Sequence, residues 1–244
     1  MMLPVYVINL DRSRERLQHA SQQLHSIGVD FTRIAAIDGR QLSDAEIDRV
    51  YDSERNRQRF YASLTRGEIA CYMSHRKAWQ QLLDSPAQAA VILEDDIMVS
   101  PAFAELGAAV ATLSDDWHLL KLAQPFKPKQ HYKLADVGAF TLVDYRTDKP
   151  PMGACGYILS RSGAAKLLAR KRFFRPVDVD FQWQWETGCY VQGLLPYCVD
   201  NTHQHGSDIL DVEDRHLKDK SAWRRFLEQW RFYWQNRRFC RTRD

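Results

Sequence analysis

Three consecutive carboxylates, Glu94, Asp95 and Asp96, follow directly after the apolar run Ala89–Leu93. Such a run is typical of a buried parallel strand, and ligands of open α/β sheets bind beyond the carboxyl ends of these strands. Adjacent carboxylates repel one another, and a divalent cation would compensate for that repulsion and bridge to the phosphates of a substrate. We therefore predict a metal site here. The alternative is an acidic loop that serves the N-terminus of a helix beginning at Pro101.

The segment Val5–Arg16, VYVINLDRSRER, also places polar side chains after a strand-like run, Leu3–Ile8. Asn9 and Asp11 could hydrogen-bond a base or a ribose, and arginine binds phosphate through paired hydrogen bonds. This pattern favours a nucleotide site. The alternative is that Asp11 caps the following helix and that the arginines form a solvated face.

A predicted helix begins at the capping box Thr65–Glu68 and runs through Leu83. Tyr72, His75 and Trp79 follow Glu68 along it at helical spacing. A histidine in such a helix is more often structural than a ligand, so both interpretations of His75 stay open.

A carboxylate pair precedes a run of aromatic residues in the segment Pro176–Trp185, PVDVDFQWQW. Aromatic rings stack on sugars, and a carboxylate can accept the proton of a sugar hydroxyl, so Asp178 or Asp180 is a candidate general base. The alternative is that the tryptophans belong to the core and that Asp178 caps a helix.

Two histidines, His203 and His205, lie in the polar segment NTHQHGSD. Either could complete a metal site with the acidic residues. The alternative is an ordinary polar loop.

Alternating apolar runs and helical patterns predict an α/β fold with a mainly parallel sheet flanked by helices. The expected strands are Leu3–Ile8, Phe31–Ile37, Ala89–Leu93, Trp117–Leu122, Ala154–Leu159 and Leu195–Val199. The expected helices cover residues 12–27, 66–83, 101–113 and 161–170. We expect a mobile loop at Arg49–Arg59 and a hairpin or long loop over residues 123–150.

The composition limits the class of protein. The chain has 244 residues, 45% of them hydrophobic and 27% charged, which fits one large domain with an appended segment. We expect no membrane-spanning run and no secretory signal. The five cysteines contain no C-x-x-C pair, which favours a reducing cytosol over a disulfide framework or a structural zinc site.

The charge is concentrated at the C-terminus. Residues 218–244 hold nine Lys or Arg and three Asp or Glu, a local charge of +6, while the whole chain carries +3. We therefore divide the chain into a catalytic domain, residues 1–217, and a basic aromatic tail, residues 218–244. A helix is predicted from Ser221 to about Arg238.

Five motifs occur in this order along the chain: VINLDRSRERL, RGEIACYMSHRKAW, AVILEDDI, GACGYILSRSGAAKLL and GSDI. Together they resemble glycosyltransferase family 25, the lipooligosaccharide galactosyltransferases of Gram-negative bacteria and the related collagen galactosyltransferase domains. The resemblance covers about residues 2–210 and does not include the tail.

This resemblance implies a GT-A-like fold, a UDP-sugar donor, a divalent metal (Mn²⁺ or Mg²⁺) and inversion at the anomeric carbon. It also implies roles for residues at matching positions. Donor binding falls to Asn9, Asp11, Arg14, Ser74, His75 and Glu94, the metal to Glu94, Asp95 and Asp96, and the base to Asp178. Two further candidates come from the residues alone and depart from the family pattern: His205 as a metal ligand and Asp180 as the alternative base.

The expected function is transfer of a hexose, galactose from UDP-galactose, to a saccharide acceptor in lipopolysaccharide biosynthesis. One rival is a metal-dependent nucleotide-sugar phosphohydrolase, which would need no acceptor. The other is a nucleic-acid-binding module that uses the basic aromatic tail; the acidic body argues against it, and we expect no nucleic-acid partner.

The resemblance places the protein in the cytoplasm, with a lipid-linked saccharide as its acceptor. The tail composition matches helices that lie on anionic membrane surfaces, which would make the protein peripheral on the cytoplasmic face of the inner membrane. The alternative is that the tail packs on the domain through its tryptophan face.

Overall fold

The computed structural model describes residues 3–146, 149–201 and 221–241. Its strands are β1 (Val5–Asn9), β2 (Thr32–Ala35), β3 (Ala89–Glu94), β4 (Ile97–Val99), β5 (Leu119–Lys121), β6 (Tyr132–Val137), β7 (Phe140–Asp144), β8 (Gly156–Ser160), β9 (Val191–Leu195) and β10 (Val199–Asn201). Its α-helices are α1 (Arg14–Ser26), α2 (Asp44–Val50), α3 (Ser53–Arg59), α4 (Arg66–Asp84), α5 (Leu106–Val110), α6 (Arg161–Ala169), α7 (Val177–Gln182), α8 (Gln184–Thr187) and α9 (Ala222–Arg241). Short 3₁₀ helices cover Gly39–Gln41 and Pro101–Glu105.

Eight strands form one sheet in the order β2-β1-β3-β8-β5-β9-β7-β6, and β4 pairs with β10 in a separate ribbon. Within the described sheet, β7 and β8 run opposite to the other strands, because their pairings are antiparallel. The adjacent strands β2, β1 and β3 are parallel, so their carboxyl ends lie at one edge. The predicted α/β fold with a mostly parallel sheet and flanking helices is confirmed.

Both faces of the sheet are covered, as the continuous apolar strands predict. Along β1, Tyr6 and Ile8 point into one core, against α4, α6 and α7, whereas Val5 and Val7 point into the other, against α1 and α5. The period of two along a strand assigns these side chains to opposite faces.

Helix α4 begins where the sequence places it. Thr65 Oγ1 accepts from Glu68 N at 3.1 Å, and the Glu68 carboxylate accepts from Thr65 N at 2.8 Å. This capping box satisfies N–H groups that the first helical turn leaves open, and it fixes the start of the helix that carries Ser74 and His75.

The loop predicted over Arg49–Arg59 is wrong, because this stretch ends α2 and forms α3. Asp52 caps α3 by accepting from Arg55 N at 3.0 Å. Asn56 is buried and donates to the carbonyl oxygens of Ala62 at 3.0 Å and Phe174 at 2.8 Å. These distant contacts specify the helix, and no local pattern reveals them.

The other predicted elements need smaller corrections. The hairpin expected over residues 123–150 is formed by β6 and β7. The strand predicted at Leu195–Val199 is replaced by β9, which ends at Leu195, and β10, which begins at Val199. Gly28 has φ +71° at the end of α1, the left-handed position expected of a closing glycine.

Helix α9 confirms the predicted C-terminal helix. No helix in the described residues is long and apolar enough to cross a membrane. The domain boundary expected after residue 217 lies within 202–220, outside the described residues, as do His203, His205 and the GSDI segment.

Candidate active site

The carboxyl ends of β1 and β3 bring the first two sequence motifs together. Ile8 is in register with Glu94, so Asn9 lies beside the acidic segment. Asn9 is buried, and its Nδ2 donates to Asp95 Oδ2 at 2.6 Å and to the Ser13 carbonyl at 2.9 Å. Asn9 therefore joins the start of α1 to the acidic residues.

Asp95 is buried between groups that compensate its charge. Besides Asn9, Arg16 Nη1 lies 3.4 Å from Asp95 Oδ1. These contacts hold α1 against the end of β3, so Asp95 acts on the site largely through the residues it positions.

Asp96 has the features of a cation ligand. Its Oδ1 is buried and has no hydrogen-bond partner among the described residues. Burial, and then the neighbouring charges of Glu94 and Asp95, raise the pKa of Asp96 to about 7. A buried carboxylate oxygen without a partner is costly, and a hard divalent cation such as Mn²⁺ or Mg²⁺ would satisfy it with the oxygen ligands these ions prefer. The residues therefore fit a metal at Asp96 and Glu94.

His75 is oriented towards Glu94 by a chain of buried hydrogen bonds. Trp79 Nε1 donates to the Tyr157 hydroxyl oxygen at 2.8 Å. That hydroxyl lies 2.9 Å from His75 Nδ1, and His75 Nε2 lies 3.2 Å from Glu94 Oε1. Because the carboxylate only accepts, we assign the ring hydrogen to Nε2, with Tyr157 donating to Nδ1. His75 thus positions the Glu94 side chain.

Cys71 is a residue of this site that the sequence interpretation missed. Its Sγ, His75 Nε2 and Glu94 Oε1 all lie within 4.8 Å of one another. Burial and the charge of Glu94 raise the pKa of Cys71 well above its ordinary value, so the thiol is protonated. Its position one helical turn before His75 was the available signal.

A cleft of about 680 Å³ opens beside these groups, and we call it the first cleft. Its lining includes Ser74, His75, Glu94, Asp95 and Asp96 together with Arg12, Arg16, Asp38, Gly39 and Cys71. The structure thus brings three of the six predicted donor residues, Ser74, His75 and Glu94, into one concave surface with Asp95 and Asp96, while Asn9 is buried behind it. Two arginines supply positive charge there.

Two predicted donor residues lie elsewhere. The Asp11 side chain is 82% exposed and pairs with Arg33, and Arg14 lies in a shallow depression of residues 12–16. Arg12 and Arg16 line the cleft instead. Arg16 lies in the first turn of α1 and Arg12 in the turn before the helix, and both reach the cleft that Arg14 does not line.

Ser74 holds the wall of the first cleft. Its Oγ accepts from Ile37 N at 2.8 Å and donates to the Ala70 carbonyl at 2.7 Å. Next to this contact, a Cβ on Gly39 would lie 2.7 Å from backbone atoms of Arg66. The wall therefore depends on a close approach that only glycine allows.

The second cleft, of about 1090 Å³, meets the first at Cys71 and Glu94, which line both. Asp178 lines it and is half-buried; its Oδ1 accepts from Val179 N at 2.9 Å and its Oδ2 from Gly153 N at 3.3 Å. Burial raises the pKa of Asp178, while Lys121 and these two N–H groups oppose the rise. An ionisable carboxylate thus faces a space beside the first cleft.

Lys121 is a second residue that the sequence interpretation missed. It ends β5, is 1% exposed and donates to the Gly153 carbonyl. Burial lowers the pKa of Lys121 to about 8, against the opposing charges of Asp178 and Glu94. A lysine inside an apolar strand was the available signal.

Asp180 lies in a buried ion-pair network instead of a cleft. It is 1% exposed and accepts from Tyr72 Oη at 2.7 Å. Arg170 Nε lies 3.2 Å from its Oδ2, and Arg175 Nη1 lies 3.4 Å from its Oδ1. These contacts leave no room for an acceptor hydroxyl, which corrects the choice of Asp180 as a base.

The aromatic run after Asp180 does not form an open sugar platform. Phe181 and Trp183 are buried in the core, and Trp185 packs against α9. The core alternative for these residues is therefore the correct one. Tyr61 and Phe60 line the second cleft instead.

Comparison with known proteins identifies the family. The sequence model of glycosyltransferase family 25 (LPS biosynthesis protein) matches residues 2–183. The chain belongs to glycosyltransferase family 25. Because the match spans β1, α4, β3 and α7, both clefts lie within the family region.

Curated relatives agree with this assignment. A glycosyltransferase 25 family member of Anopheles gambiae is 29% identical over 90% of this chain and 35% of its own length. One of Aedes aegypti is 32% identical over 72% of this chain and 29% of its own. Procollagen galactosyltransferase 2 of Homo sapiens is 25% identical over 72% of this chain and 29% of its own. The match thus covers about a third or less of each relative.

Among solved structures, the inositol-1-phosphate CTP transferase from T. maritima aligns with a TM-score of 0.40 and 11% identity. The alignment covers 82% of this chain and 89% of that one.

Proposed function

We propose that this protein is a metal-dependent inverting glycosyltransferase that moves galactose from UDP-galactose to a saccharide acceptor of lipooligosaccharide or lipopolysaccharide. Membership of family 25 supports glycosyl transfer, and the family description supports the pathway. The name procollagen galactosyltransferase, carried by a human relative, supports galactose as the transferred hexose.

The observation that carries this proposal is the junction of two clefts at Glu94 and Cys71. The first cleft has arginines and acidic residues at the carboxyl ends of parallel strands, where a nucleotide diphosphate binds in α/β sheets. The second has a carboxylate and aromatic rings. A two-substrate transfer needs adjacent sites of these kinds, whereas hydrolysis of a nucleotide sugar needs only the first.

In the first cleft, Arg12 and Arg16 would bind the diphosphate through charge-assisted hydrogen bonds. Glu94 and Asp96 would hold the divalent cation, which neutralises charge on the departing diphosphate. His75 keeps Glu94 oriented, and Asn9 with Asp95 keeps Arg16 in place, so the site is organised before the donor binds.

In the second cleft, Asp178 would remove the proton of the acceptor hydroxyl. Its raised pKa makes it a better proton acceptor than an exposed aspartate, while Lys121 and two backbone N–H groups limit that rise. A single displacement by this hydroxyl on the face opposite UDP inverts the anomeric carbon, and the transition state resembles an oxocarbenium ion.

We further propose that the sheet is of the GT-A type and that the protein works in the cytoplasm. No disulfide joins the cysteines of the described residues, which supports a reducing compartment.

The test is release of UDP from UDP-galactose, UDP-glucose and UDP-GlcNAc, with and without Mn²⁺ and with and without a deacylated lipooligosaccharide acceptor. We expect the fastest release from UDP-galactose, only with Mn²⁺, and strongly stimulated by acceptor. Rapid release that ignores the acceptor would assign the protein to phosphohydrolases.

A further inference from the structure

Helix α9 exposes a continuous stripe of large apolar side chains, which we call the outer stripe. Its members are 37–67% exposed: Trp223, Phe226, Leu227, Trp230, Tyr233 and Trp234. At 100° per residue they cover about 120° of the helix circumference over three turns. Exposed apolar patches of this extent mark interaction surfaces, whereas single exposed side chains need no explanation.

The opposite face of α9 is docked on the domain. Phe232 is buried, with ring centroids 5.3 Å from Trp183 and 5.0 Å from Trp185. Trp185 Nε1 donates to Gln235 Oε1 at 2.9 Å, and the Phe239 ring lies 5.6 Å from Tyr190. The helix thus packs through the face opposite its tryptophans. The alternative expected from the sequence, packing through the tryptophan face, is therefore wrong, and the outer stripe is exposed.

The charge of α9 is suited to an anionic partner. The helix has six arginines and one acidic residue, Glu228, which is buried on the docked face. By helical geometry, one flank of the outer stripe carries Arg224, Arg231 and Arg238. In line with the outer stripe, towards the end of the helix, lie Arg237 and Arg241. A second copy docked stripe to stripe would bring these like charges together, which disfavours a dimer through this face.

We propose that the outer stripe docks the protein on an anionic lipid surface. Tryptophan and tyrosine prefer the boundary between headgroups and acyl chains, where their apolar rings are buried and their polar atoms stay hydrated. Arginines beside them would contact the phosphates of anionic lipids. A docked amphipathic helix with an aromatic face and basic flanks has the composition of interfacial helices.

The same helix also lines a cleft that adjoins the second cleft, where the acceptor is proposed to bind. A third cleft, of about 1810 Å³, is lined by Arg225, Glu228 and Gln229 of α9 and shares Tyr61 and Gly153 with the second cleft. The second cleft therefore opens into a space that is bordered by α9. If the proposed glycosyl transfer holds, the acceptor class that fits is a saccharide carried on a lipid of the same surface.

The experiment is co-sedimentation of the full chain with vesicles of phosphatidylglycerol and phosphatidylcholine, against pure phosphatidylcholine. We expect binding only to the anionic vesicles, weakened by salt. Trp230→Ser with Trp234→Ser should lower binding by about tenfold or more, because two buried rings are lost. Arg238→Gln should lower it about fivefold at low salt. Tyr132→Ser and Arg49→Gln, which change an exposed aromatic and a basic residue elsewhere, should have no effect.

Several outcomes would overturn the proposal. One is that the full chain binds anionic and neutral vesicles equally well, and another is that it does not bind anionic vesicles. A third is that the tryptophan variant binds anionic vesicles as tightly as the wild type does. Light scattering that shows a dimer lost in this variant would assign the stripe to a second copy. Tighter binding of single-stranded oligodeoxythymidylate than of vesicles would assign it to nucleic acid.

A separate readout distinguishes this proposal from the proposed function. The tryptophan variant should bind UDP as the wild type does and keep its unfolding temperature, because the outer stripe touches neither the first cleft nor the core. On lipooligosaccharide in anionic vesicles its rate should fall, while its rate on deacylated acceptor stays unchanged. Vesicle binding without any transfer would leave the docking surface standing and refute the transferase.

Discussion

His75 Nε2 lies 3.2 Å from Glu94 Oε1, at the point where the first and second clefts meet. The histidine is fully buried and Glu94 only partly so, which means that a residue of the core sets the direction of a residue of the site. A chain of hydrogen bonds through Trp79, Tyr157 and His75 therefore couples the packing of α4 on β8 to the orientation of the Glu94 carboxylate.

Removal of one hydroxyl tests this chain. Tyr157→Phe leaves the Trp79 N–H and the His75 Nδ1 without partners, so we expect a loss of about 1–3 kcal/mol in the free energy of unfolding. Donor KM should rise as well, because His75 no longer fixes Glu94. Urea unfolding and UDP-galactose kinetics are the measurements, and Tyr132→Phe, at an exposed position, is the control. An unchanged KM would show that His75 is structural only.

The proposed cation site is tested at Asp96. Asp96→Asn keeps the shape of the side chain but removes a negative ligand, so we expect about a 10²-fold loss of turnover at saturating Mn²⁺. Asp115→Asn, in an exposed acidic pair, should behave as wild type. Activity of the wild type in EDTA equal to that in Mn²⁺ would refute the metal site.

Substitution of the two aspartates of α7 should affect different properties of the protein, turnover for Asp178 and stability for Asp180. Asp178→Asn should lower kcat by ~10²–10⁴ with UDP affinity unchanged, because a base acts on the acceptor. Asp180→Asn should instead lower the free energy of unfolding by about 3–5 kcal/mol, because Arg170 and Arg175 lose part of their buried partner. Kinetics and urea unfolding separate these effects. A stable, inactive Asp180→Asn would exchange the roles.

The pH dependence of stability is tested at Glu228. Burial raises the pKa of Glu228 to about 7, whereas a glutamate in an unfolded chain has a pKa of about 4.3. The folded protein therefore binds the carboxyl proton of Glu228 more tightly than the unfolded chain does. Stability is therefore lost as pH rises from about 4 through about 7, by up to about 4 kcal/mol.

Glu228→Gln removes this penalty. We expect the variant to unfold at higher urea than the wild type at pH 8 and at the same urea at pH 4. Glu105→Gln, at an exposed position, should match the wild type at both. A variant less stable than the wild type at pH 8 would contradict the buried charge.

The sequence by itself determined the fold class, most of the elements and the order of the motifs. Apolar runs such as Ala89–Leu93 specify buried strands because few other environments accept them, and the capping box at Thr65 specifies a helix start through contacts three residues apart. It also placed Asn9 and Glu94 at strand ends, and parallel pairing brings such ends together.

Only the tertiary structure decided what each polar side chain contacts. Asp178 and Asp180 differ by two positions in one short helix, yet one faces a cleft and the other meets Tyr72, Arg170 and Arg175. In the same way, α9 has an aromatic face that local pattern would bury, but the domain buries Phe232 instead. The reason is physical: burial and ion pairing depend on partners far away in the chain, whereas helices and strands follow largely from neighbours.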